Sequence, residues 1–550
     1  MFLFRRYSTK SSKFYITTPI YYVNADPHIG HLYTSIIADA TQRWHRLMNP
    51  ACTIKFATGT DEHGSKIQQA ALINKVPLDF YCAKVSNQYK LMSDQFAVEY
   101  TNFIRTTADN HINTVKEFWK SLRRNGHIYS SKYSGWYCVS DETFLTKSQL
   151  KEVQNAKGEK VLVSEDSGHP VEWSEEENYM FRLSKFQDEL MKWLTKNDVV
   201  KPKKFQKILC DLIAKEALAD VSVSRPTSRV HWGIKVPDDE TQTIYVWLDA
   251  LVNYLTAVDY PNVNSDTFNQ SWPPDVQVIG KDILKFHGVY WPAFLMAADL
   301  ELPKLFLCHS HWTVEDEKMS KSKNNVISPF NRNELYTSDG LRYFLLREGV
   351  SHSDGNYSDV KVTRILNSEL ADTLGNLLSR CCSNALNPNQ VFPEIESEAF
   401  QSVVSIDVTK KLIESVINLP DVCQKHYSEF NFYKVVDAIV ATLHAGNQFF
   451  EYLKPWEFKK AKDFSKLNVV LHVTMETLRI CSTILQPIVP NISQQILNKI
   501  CVPKDKRFWS DLKYQSWNNP NFKTLKLLEG KAVIFQRLAV EEKRMKGNKR

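Results

Sequence analysis

The stretch that decides the fold is 14–64, which reads FYITTPIYYVNADPHIGHLYTSIIADATQRWHRLMNPACTIKFATGTDEHG. An apolar, β-rich run at 14–23 leads through a proline-containing turn into a helical pattern at 31–48. A second strand pattern at 52–60 again runs into a turn and a helix. Strands that alternate with helices form right-handed βαβ units, so this stretch predicts a parallel sheet.

The same alternation returns later in the chain. Apolar strand patterns occur at 243–247 (TIYVW), 275–280 (DVQVIG) and 305–310 (LFLCHS). Between them and the opening stretch, 126–232 carries aromatic, β-like pieces and a charged run. We therefore predict an α/β domain whose Rossmann-like, doubly wound parallel sheet is formed by 14–125 and 233–328 and is split by an inserted connective subdomain. Such sheets bind ligands at the carboxyl ends of their strands.

The pattern becomes helical after about residue 360, where apolar residues recur at three- and four-residue intervals. We predict an α-helical bundle of roughly five helices at 361–525. A linking segment at 329–360 would join it to the α/β domain. The end of the chain, 526–550, is predicted to be a C-terminal helix with a basic tail.

Composition sets broad limits. The 550 residues are too many for one compact core and imply two or three domains. A formal charge of +7 permits binding to RNA without requiring it. No uninterrupted apolar run of membrane-spanning length occurs, so no contact with a membrane is predicted. The ten cysteines form no CxxC pair, which fits free thiols in a reducing compartment.

The first thirteen residues differ from the rest. They include Arg5, Arg6, Lys10 and Lys13, and no acidic residue occurs before Asp26. This composition favours a mitochondrial presequence at 1–13, cleaved after Tyr7, and hence the mitochondrial matrix. The alternative is the frayed basic N-terminus of a cytosolic or bacterial enzyme.

A first candidate site lies between the opening strand and helix, at His28, Gly30 and His31. The two imidazoles share a helix face and lie at the positive end of the helix dipole, beside exposed amide groups that attract phosphate. Gly30 would let a nucleotide approach the backbone without a Cβ in the way. A chance pair of histidines at the start of a helix is the alternative.

A second candidate site is Lys318-Met319-Ser320-Lys321-Ser322, in a polar segment after the strand pattern at 305–310. Lysines on such a loop can close over a polyphosphate and stabilise developing charge. By itself, this segment could equally be a solvated basic loop.

Together, HIGH after the first strand and KMSKS after the last form the paired signature of class I aminoacyl-tRNA synthetases, which this sequence resembles. Several further sequence segments resemble those of methionyl-tRNA synthetases within that class. They are TTPIYYVNADPHIGHLYT (17–34), TGTDEHG (58–64), EENYMFRLS (176–184), YVWLDALVNY (245–254) and VIGKDILKFHGVYWPAFLMA (278–297). The resemblance runs from about residue 13 to at least residue 456.

The resemblance implies a methionine pocket. It would be formed by Ile20, Tyr22, Trp247, Ala250, Leu251, Tyr254, Ile283 and His287. A thioether suits an apolar, polarisable cavity, and the polar tips of Tyr254 and His287 could separate methionine from leucine. Asp61, with help from Tyr22, would pair with the substrate ammonium group. The alternatives are an ordinary core stripe and an Asp61 that caps the next helix.

It also implies ATP as a substrate, with Mg²⁺ on its phosphates. The ATP-binding residues would be His28, Gly30, His31, Gly280, Asp282, Lys318, Ser320 and Lys321. Asp282 would accept from the ribose hydroxyls. His28, His31, Lys318 and Lys321 would be catalytic, stabilising attack of the methionine carboxylate on the α-phosphorus. The terminal adenosine of tRNA(Met) would then attack the adenylate through its 2′-hydroxyl.

In the helical domain, the resemblance implies that Asn376, Arg380 and Trp456 recognise the anticodon. Many relatives carry a zinc knuckle in the insertion, whereas here Cys138 is followed three residues later by Asp141, so no structural zinc is predicted. A monomer is also predicted. The rival interpretations are a cysteinyl or leucyl enzyme, a small-molecule nucleotidyltransferase, and a degenerate synthetase that only binds RNA.

Overall fold

The computed structural model describes residues 13–539 apart from 139–142, 146, 155–159, 166, 216, 320–324, 514 and 520–521. The predicted presequence, except Lys13, and the predicted tail from residue 540 therefore lie outside the described residues. So do Asp141, Ser320 and Lys321.

The chain opens with alternating strands and helices. They are β1 (Lys13–Tyr22), α1 (Ile29–Met48), β2 (Thr53–Asp61), α2 (Ser65–Asn74), α3 (Leu78–Gln95), β3 (Asn102–Arg105) and α4 (Asp109–Arg124). A mainly antiparallel region follows. It comprises β4 (Ile128–Cys138), β5 (Thr143–Leu145), β6 (Leu150–Gln154), β7 (Lys160–Ser164), β8 (Glu172–Phe181), α5 (Gln187–Lys196), β9 (Val200–Lys201), α6 (Lys203–Lys215), β10 (Val221–Ser222), β11 (Ser224–Pro226), β12 (Lys235–Val236) and β13 (Asp239–Ile244).

The second half of the α/β domain follows. It consists of α7 (Val246–Leu251), α8 (Asn253–Thr256), α9 (Asp266–Ser271), β14 (Val276–Gly280), α10 (Trp291–Ala297), β15 (Phe306–His309), β16 (Trp312–Val314) and β17 (Glu317–Lys318). A π-helical turn, Phe286–Tyr290, precedes α10. Such turns are frequent at functional sites.

Six parallel strands form the central sheet, in the order β3-β2-β1-β14-β15-β9. Successive side chains of a strand point to opposite faces. In β1, Ile16 belongs to the core on one face, with α1 and α3, whereas Tyr15 belongs to the core on the other, with α4 and α10. Both faces are thus covered, and the predicted doubly wound parallel sheet is confirmed.

Two details of the prediction are wrong. The run at 243–247 is not a strand of the parallel sheet, because β13 pairs antiparallel with β11 and β12 and the helix α7 begins at Val246. Conversely, β9 lies inside the predicted insertion of 126–232 yet pairs with β15 of the central sheet. This two-residue strand has too little sequence pattern to be recognised from the chain alone.

The helical domain is confirmed. Its elements are α13 (Asp359–Ile365), α14 (Asn376–Cys381), β19 (Val391–Phe392), α15 (Ser397–Val404), α16 (Asp407–Ser428), α17 (Phe432–Leu453), α18 (Pro455–Lys460), α19 (Phe464–Leu485), α20 (Pro490–Lys499) and β20 (Leu525–Lys526), reached through α11 (Pro329–Tyr336), α12 (Ser338–Glu348) and β18 (Gly355–Tyr357). Helix α19 is buried on every side over most of its length and forms the centre of the bundle.

The segments flanking the bundle differ from the prediction. Residues 329–360, predicted to be a linker, contain two helices and a strand. The predicted C-terminal helix is absent from the described residues 527–539. Here Leu527 and Phe535 are buried against the bundle, and Gly530 has a φ of +106°. This backbone conformation interrupts a right-handed helix at Gly530, and the segment packs against the bundle as a strap without regular secondary structure.

Candidate functional site

A cavity of about 420 Å³ lies at the carboxyl edge of the central sheet. The ends of β1, β2, β14 and β15 all contribute to it, as expected for a parallel sheet. The structure brings together in its wall all the described residues that were predicted to bind methionine or ATP. They are Ile20, Tyr22, His28, Gly30, His31, Asp61, Trp247, Ala250, Leu251, Tyr254, Gly280, Asp282, Ile283, His287 and Lys318.

His28 and His31 form a reciprocal cap at the start of α1. The Gly30 amide donates to Nδ1 of His28 (3.0 Å), and the His28 amide donates to Nδ1 of His31 (3.2 Å). Because Nδ1 accepts in both rings, the proton of each neutral imidazole lies on Nε2. Burial and then the charge of His311 lower the pKa of His28 to about 4, and burial holds the pKa of His31 well below 6.5. At neutral pH both residues are therefore neutral donors.

Two of the amides that were expected to be exposed at this helix start already have hydrogen-bond partners. The Gly30 amide is bonded to His28, and the Ile29 amide donates to the Ile327 carbonyl (3.0 Å). A Cβ on Gly30 would come within 2.8 Å of the His28 ring, so glycine is needed for the ring to take up its capping position. A phosphate here would meet the imidazole Nε2–H groups and the helix dipole instead.

The carboxylate of Asp282 accepts a hydrogen bond from a histidine, His311, that the sequence interpretation missed. His311 Nε2 donates to this carboxylate (3.1 Å), while the His311 amide donates to Asp354 (2.9 Å), which also pairs with Lys281 (2.7 Å). Burial would raise the pKa of Asp282, but His311 and the charge of Lys318 outweigh it, so the pKa lies below its usual range. The carboxylate is charged and lines the cleft.

Lys318, the first residue of the KMSKS segment, ends a short hairpin. Strand β17 pairs with β16, opposite Thr313, and the turn between them carries Glu315 and Asp316 with positive φ. The exposed Lys318 side chain lies at the mouth of the cavity. The expectation of a plain loop is therefore wrong for this residue, and the rest of the segment lies outside the described residues.

The aromatic part of the cavity is tightly ordered. His287 Nδ1 donates to the Ile283 carbonyl (3.0 Å), so Nε2 accepts from the Tyr254 hydroxyl (2.7 Å). Burial lowers the pKa of His287 to about 4, which keeps this ring neutral. The Trp247 ring stacks on Phe286 at 3.7 Å. This arrangement gives a largely apolar, polarisable cavity with one polar pair in its wall.

Asp61 and Tyr22 lie side by side. They end the adjacent strands β1 and β2 and are paired in register, and Asp61 is only 8% exposed. The N-cap of α2 is Gly64, and Asp61 lies three residues before it, at the end of β2. A carboxylate at the cavity wall suits a cationic substrate group.

The residues predicted to recognise an anticodon lie on the bundle surface. Asn376 is exposed at the start of α14, and Arg380, one turn later, is partly exposed. The Arg380 guanidinium lies over the Phe450 ring (4.7 Å) and pairs with Glu451. Trp456, in the first turn of α18, is half-buried. None of these three residues belongs to the cavity wall. They need not be close to the cavity, because a long RNA can contact the two places with different parts of its chain.

Beyond His311, the cavity wall contains several residues that the sequence interpretation did not single out. They are Tyr33, Thr34, Lys66, Asn253, His309 and Trp312. Thr34 and His309 are hydrogen-bonded (2.9 Å) across the cleft, from α1 to β15. His309 could have been identified from the sequence, because it lies at the end of the strand pattern at 305–310, where parallel sheets bind ligands.

Two negative findings concern the described residues only. No group of three or more His, Cys, Asp or Glu side chains among them is arranged to hold a metal ion. None of the helices among them is long and apolar enough to cross a membrane.

Two models of known protein families match this chain. A family model described as tRNA synthetases class I (M) matches residues 14–382. A second, described as the anticodon binding domain of methionyl tRNA ligase, matches residues 404–546.

Similar proteins cover nearly the whole chain. A relative from Takifugu rubripes, named mitochondrial methionine–tRNA ligase, is 45% identical over 96% of this chain and 88% of its own length. The Homo sapiens protein of that name is 44% identical over 90% of this chain and 85% of its own length. A solved structure of Mycobacterium tuberculosis methionyl-tRNA synthetase in complex with methionyl-adenylate has a TM-score of 0.88 at 34% identity, covering 96% of this chain and 100% of that one.

The parallel sheet, the cavity at its carboxyl edge and the first family match define a class I aminoacyl-tRNA synthetase. The anticodon-domain match and the relatives narrow the assignment further. The chain belongs to the methionyl-tRNA synthetase family, whose members are methionine–tRNA ligases. It is an ATP-dependent enzyme that joins an amino acid to tRNA.

Proposed function

We propose that the cavity activates L-methionine with ATP and passes it to tRNA(Met) for mitochondrial translation. The observation that carries this proposal is the convergence of the two phosphate-type motifs and the aromatic pocket on one cleft. The methionine carboxylate attacks the α-phosphorus of ATP, which enters as its magnesium complex. Methionyl-adenylate forms and pyrophosphate leaves.

The roles of the residues follow from their chemistry. His28 and His31 donate from Nε2 to phosphate oxygens, and Lys318 and Lys321 stabilise the negative charge that develops on the leaving group. Gly280 and Asp282 hold the adenosine. A Cβ at Gly280 would come within 2.7 Å of the Asp282 carboxylate, so glycine leaves room for that side chain. Ser320 completes the ATP-binding set.

The amino acid is held at its two ends. Asp61 and Tyr22 take the ammonium group, and the thioether enters the pocket formed by Ile20, Trp247, Ala250, Leu251, Tyr254, Ile283 and His287. The 2′-hydroxyl of the terminal adenosine of tRNA then attacks the adenylate carbonyl, so that the methionyl ester forms and AMP leaves, taking up the hydroxyl proton. Asn376, Arg380 and Trp456 contact the anticodon, where stacking and hydrogen bonding to unstacked bases identify the tRNA.

The test is ATP–pyrophosphate exchange with each of the twenty amino acids, on protein that lacks the first seven residues. We expect exchange with methionine alone. Exchange with a different amino acid would overturn the pocket assignment but retain the class. Folded protein that binds tRNA and exchanges with none would favour the RNA-binding alternative.

Variants assign the catalytic roles. His28→Ala and Lys321→Ala should each lower the exchange rate by about a hundredfold or more, because each removes contacts to the transition state. Lys84→Ala, an exposed lysine of α3, is the matched control and should exchange like the wild type. Equal losses in all three variants would contradict the assignment.

The relatives' name supports a mitochondrial location, and we propose the matrix. Fusing residues 1–13 to a fluorescent protein tests this: import with protease protection inside the inner membrane is expected, and a cytosolic signal would contradict it.

The absence of structural zinc and the monomeric state remain predictions. Elemental analysis and sedimentation equilibrium measure them.

A further inference from the structure

A buried carboxylate lies behind the cavity and is used by none of the steps above. Asp249, on α7, is 1% exposed and accepts from two histidines at once, His63 Nδ1 (2.7 Å) and His111 Nε2 (2.8 Å). The remaining nitrogen of His111 bonds the Thr256 hydroxyl (2.8 Å). A charged carboxylate with two imidazole donors is satisfied, whereas the same group with one partner removed would be costly.

This cluster joins the segments that carry the two ends of the proposed methionine site. His63 follows Asp61 by two residues, on the turn between β2 and α2. Asp249 lies on α7 between Trp247 and Ala250, and Thr256 lies on α8, two residues after Tyr254. The side that binds the ammonium group and the aromatic wall are therefore connected through one carboxylate.

Asp249 itself is not among the residues of the cavity wall. The loop that carries Asp61 has further anchors: Glu62 pairs with Arg105 (2.7 Å), the last residue of β3, accepts from Thr107 (2.6 Å), and accepts from Trp232 Nε1 (2.6 Å) at its carbonyl. The residues that form these anchors lie on β3, just after it, and at residue 232, and none of them belongs to α7. The His63–Asp249 hydrogen bond ties this loop directly to α7, so it contributes to the orientation of Asp61 relative to that helix.

We propose that Asp249 is a positioning residue for the amino acid. Through His63 and His111 it sets the distance between Asp61 and the aromatic wall, so that a substrate of methionine's length meets both at once. This inference rests on the proposed function, since it requires methionine to occupy this cavity. A substrate held at both ends is sensitive to a shift of about 1 Å between the two sites, whereas a substrate held at one end can move with that site.

The test uses Asp249→Asn, which keeps the shape but loses the charge and one acceptor. In ATP–pyrophosphate exchange we expect the KM for methionine to rise roughly tenfold or more, with the KM for ATP changed less than about twofold. Competitive inhibition by 4-(methylthio)butanoate, which is methionine without its amino group, should change less than about twofold, because that molecule does not use Asp61.

The matched control is Glu476→Gln, another fully buried carboxylate, paired with Arg479 (2.8 Å) inside α19. It should lower the urea midpoint without changing either KM. If Asp249→Asn does not fold, His111→Phe removes one donor and should give the same split between the two KM values, with a smaller effect.

Parallel changes in the KM for methionine and ATP, equal changes for methionine and its amino-free analogue, or no change at all would each overturn the proposal. The wild-type protein distinguishes failure of the positioning role from failure of the proposed function. If the wild type exchanges with another amino acid, the function is wrong whatever Asp249→Asn does. If the wild type exchanges with methionine and the split is missing, only the positioning role is wrong.

Discussion

Arg342 of α12 and Asp39 in the middle of α1 form an ion pair of 2.8 Å in which neither side chain is exposed. The same guanidinium donates to the carbonyls of Phe96, Pro487 and Ile488. Its partners thus lie on the helix that begins with the HIGH motif, at the end of α3, and in the turn between α19 and α20. One side chain connects the α/β domain with the helical bundle.

Replacing Arg342 should therefore be costly. Arg342→Met leaves Asp39 buried with fewer partners and three carbonyls without their donor, so we expect a loss of about 3–5 kcal/mol in the free energy of unfolding. Urea denaturation followed by circular dichroism measures it. The control is Arg46→Met, whose pair with Glu99 is exposed and should be worth less than about 1 kcal/mol. A similar, small effect of both substitutions would contradict the structural role of the pair.

Stability should fall as pH falls from about 6.5 towards 5. Burial lowers the pKa of His28, His45, His287 and His309 to about 4, whereas in the unfolded chain histidine has a pKa of about 6.5. In this window the unfolded state binds protons that the folded state does not, so acid favours unfolding.

Each such histidine can contribute up to roughly 1.4 kcal/mol per pH unit. Urea midpoints at pH 7.5, 6.5, 5.8 and 5.0 measure the effect, since few carboxylates titrate in that range. A midpoint that stays constant or rises on acidification would show that these rings are protonated in the folded protein.

His311 should affect ATP and not methionine. His311→Phe removes the hydrogen bond that holds the Asp282 carboxylate, so we expect the KM for ATP to rise about tenfold while the KM for methionine stays within about twofold. ATP–pyrophosphate exchange at varied concentrations of each substrate provides both values. His352→Phe, in the neighbouring loop, serves as the control. A rise in the KM for methionine alone would contradict this prediction, because it would show that His311 acts on the methionine subsite.

Substitutions in the helical bundle should lower the transfer of methionine to tRNA without changing its activation by ATP. Arg380→Ala and Trp456→Ala are expected to lower kcat/KM for tRNA(Met) by about tenfold or more, since stacking is worth about 1–3 kcal/mol per base. Their exchange rates without tRNA should match the wild type. Glu451→Gln, which only frees Arg380 from its ion pair, is the control and should not weaken charging. Loss of exchange in either alanine variant would indicate a folding defect in place of lost recognition.

Much of this site follows from local sequence. The apolar runs and their turns place His28 after β1, Asp61 at the end of β2 and Gly280 at the end of β14, and parallel strands bring their carboxyl ends to one edge. The helical periodicity after residue 360 similarly predicts the bundle. Where the local pattern is short, as in β9, or where a strap packs without regular structure, as in residues 527–539, the prediction was wrong.

By itself, then, the sequence determined which elements form and which chemical groups reach the edge of the sheet, because both depend on side-chain spacing along one strand or helix. Only the tertiary structure decided the partners of those groups. His311 meets Asp282, Asp249 meets His63 and His111, and Arg342 meets Asp39 across long separations in the chain. Such contacts depend on how whole elements pack in three dimensions, and no local pattern of residues encodes that.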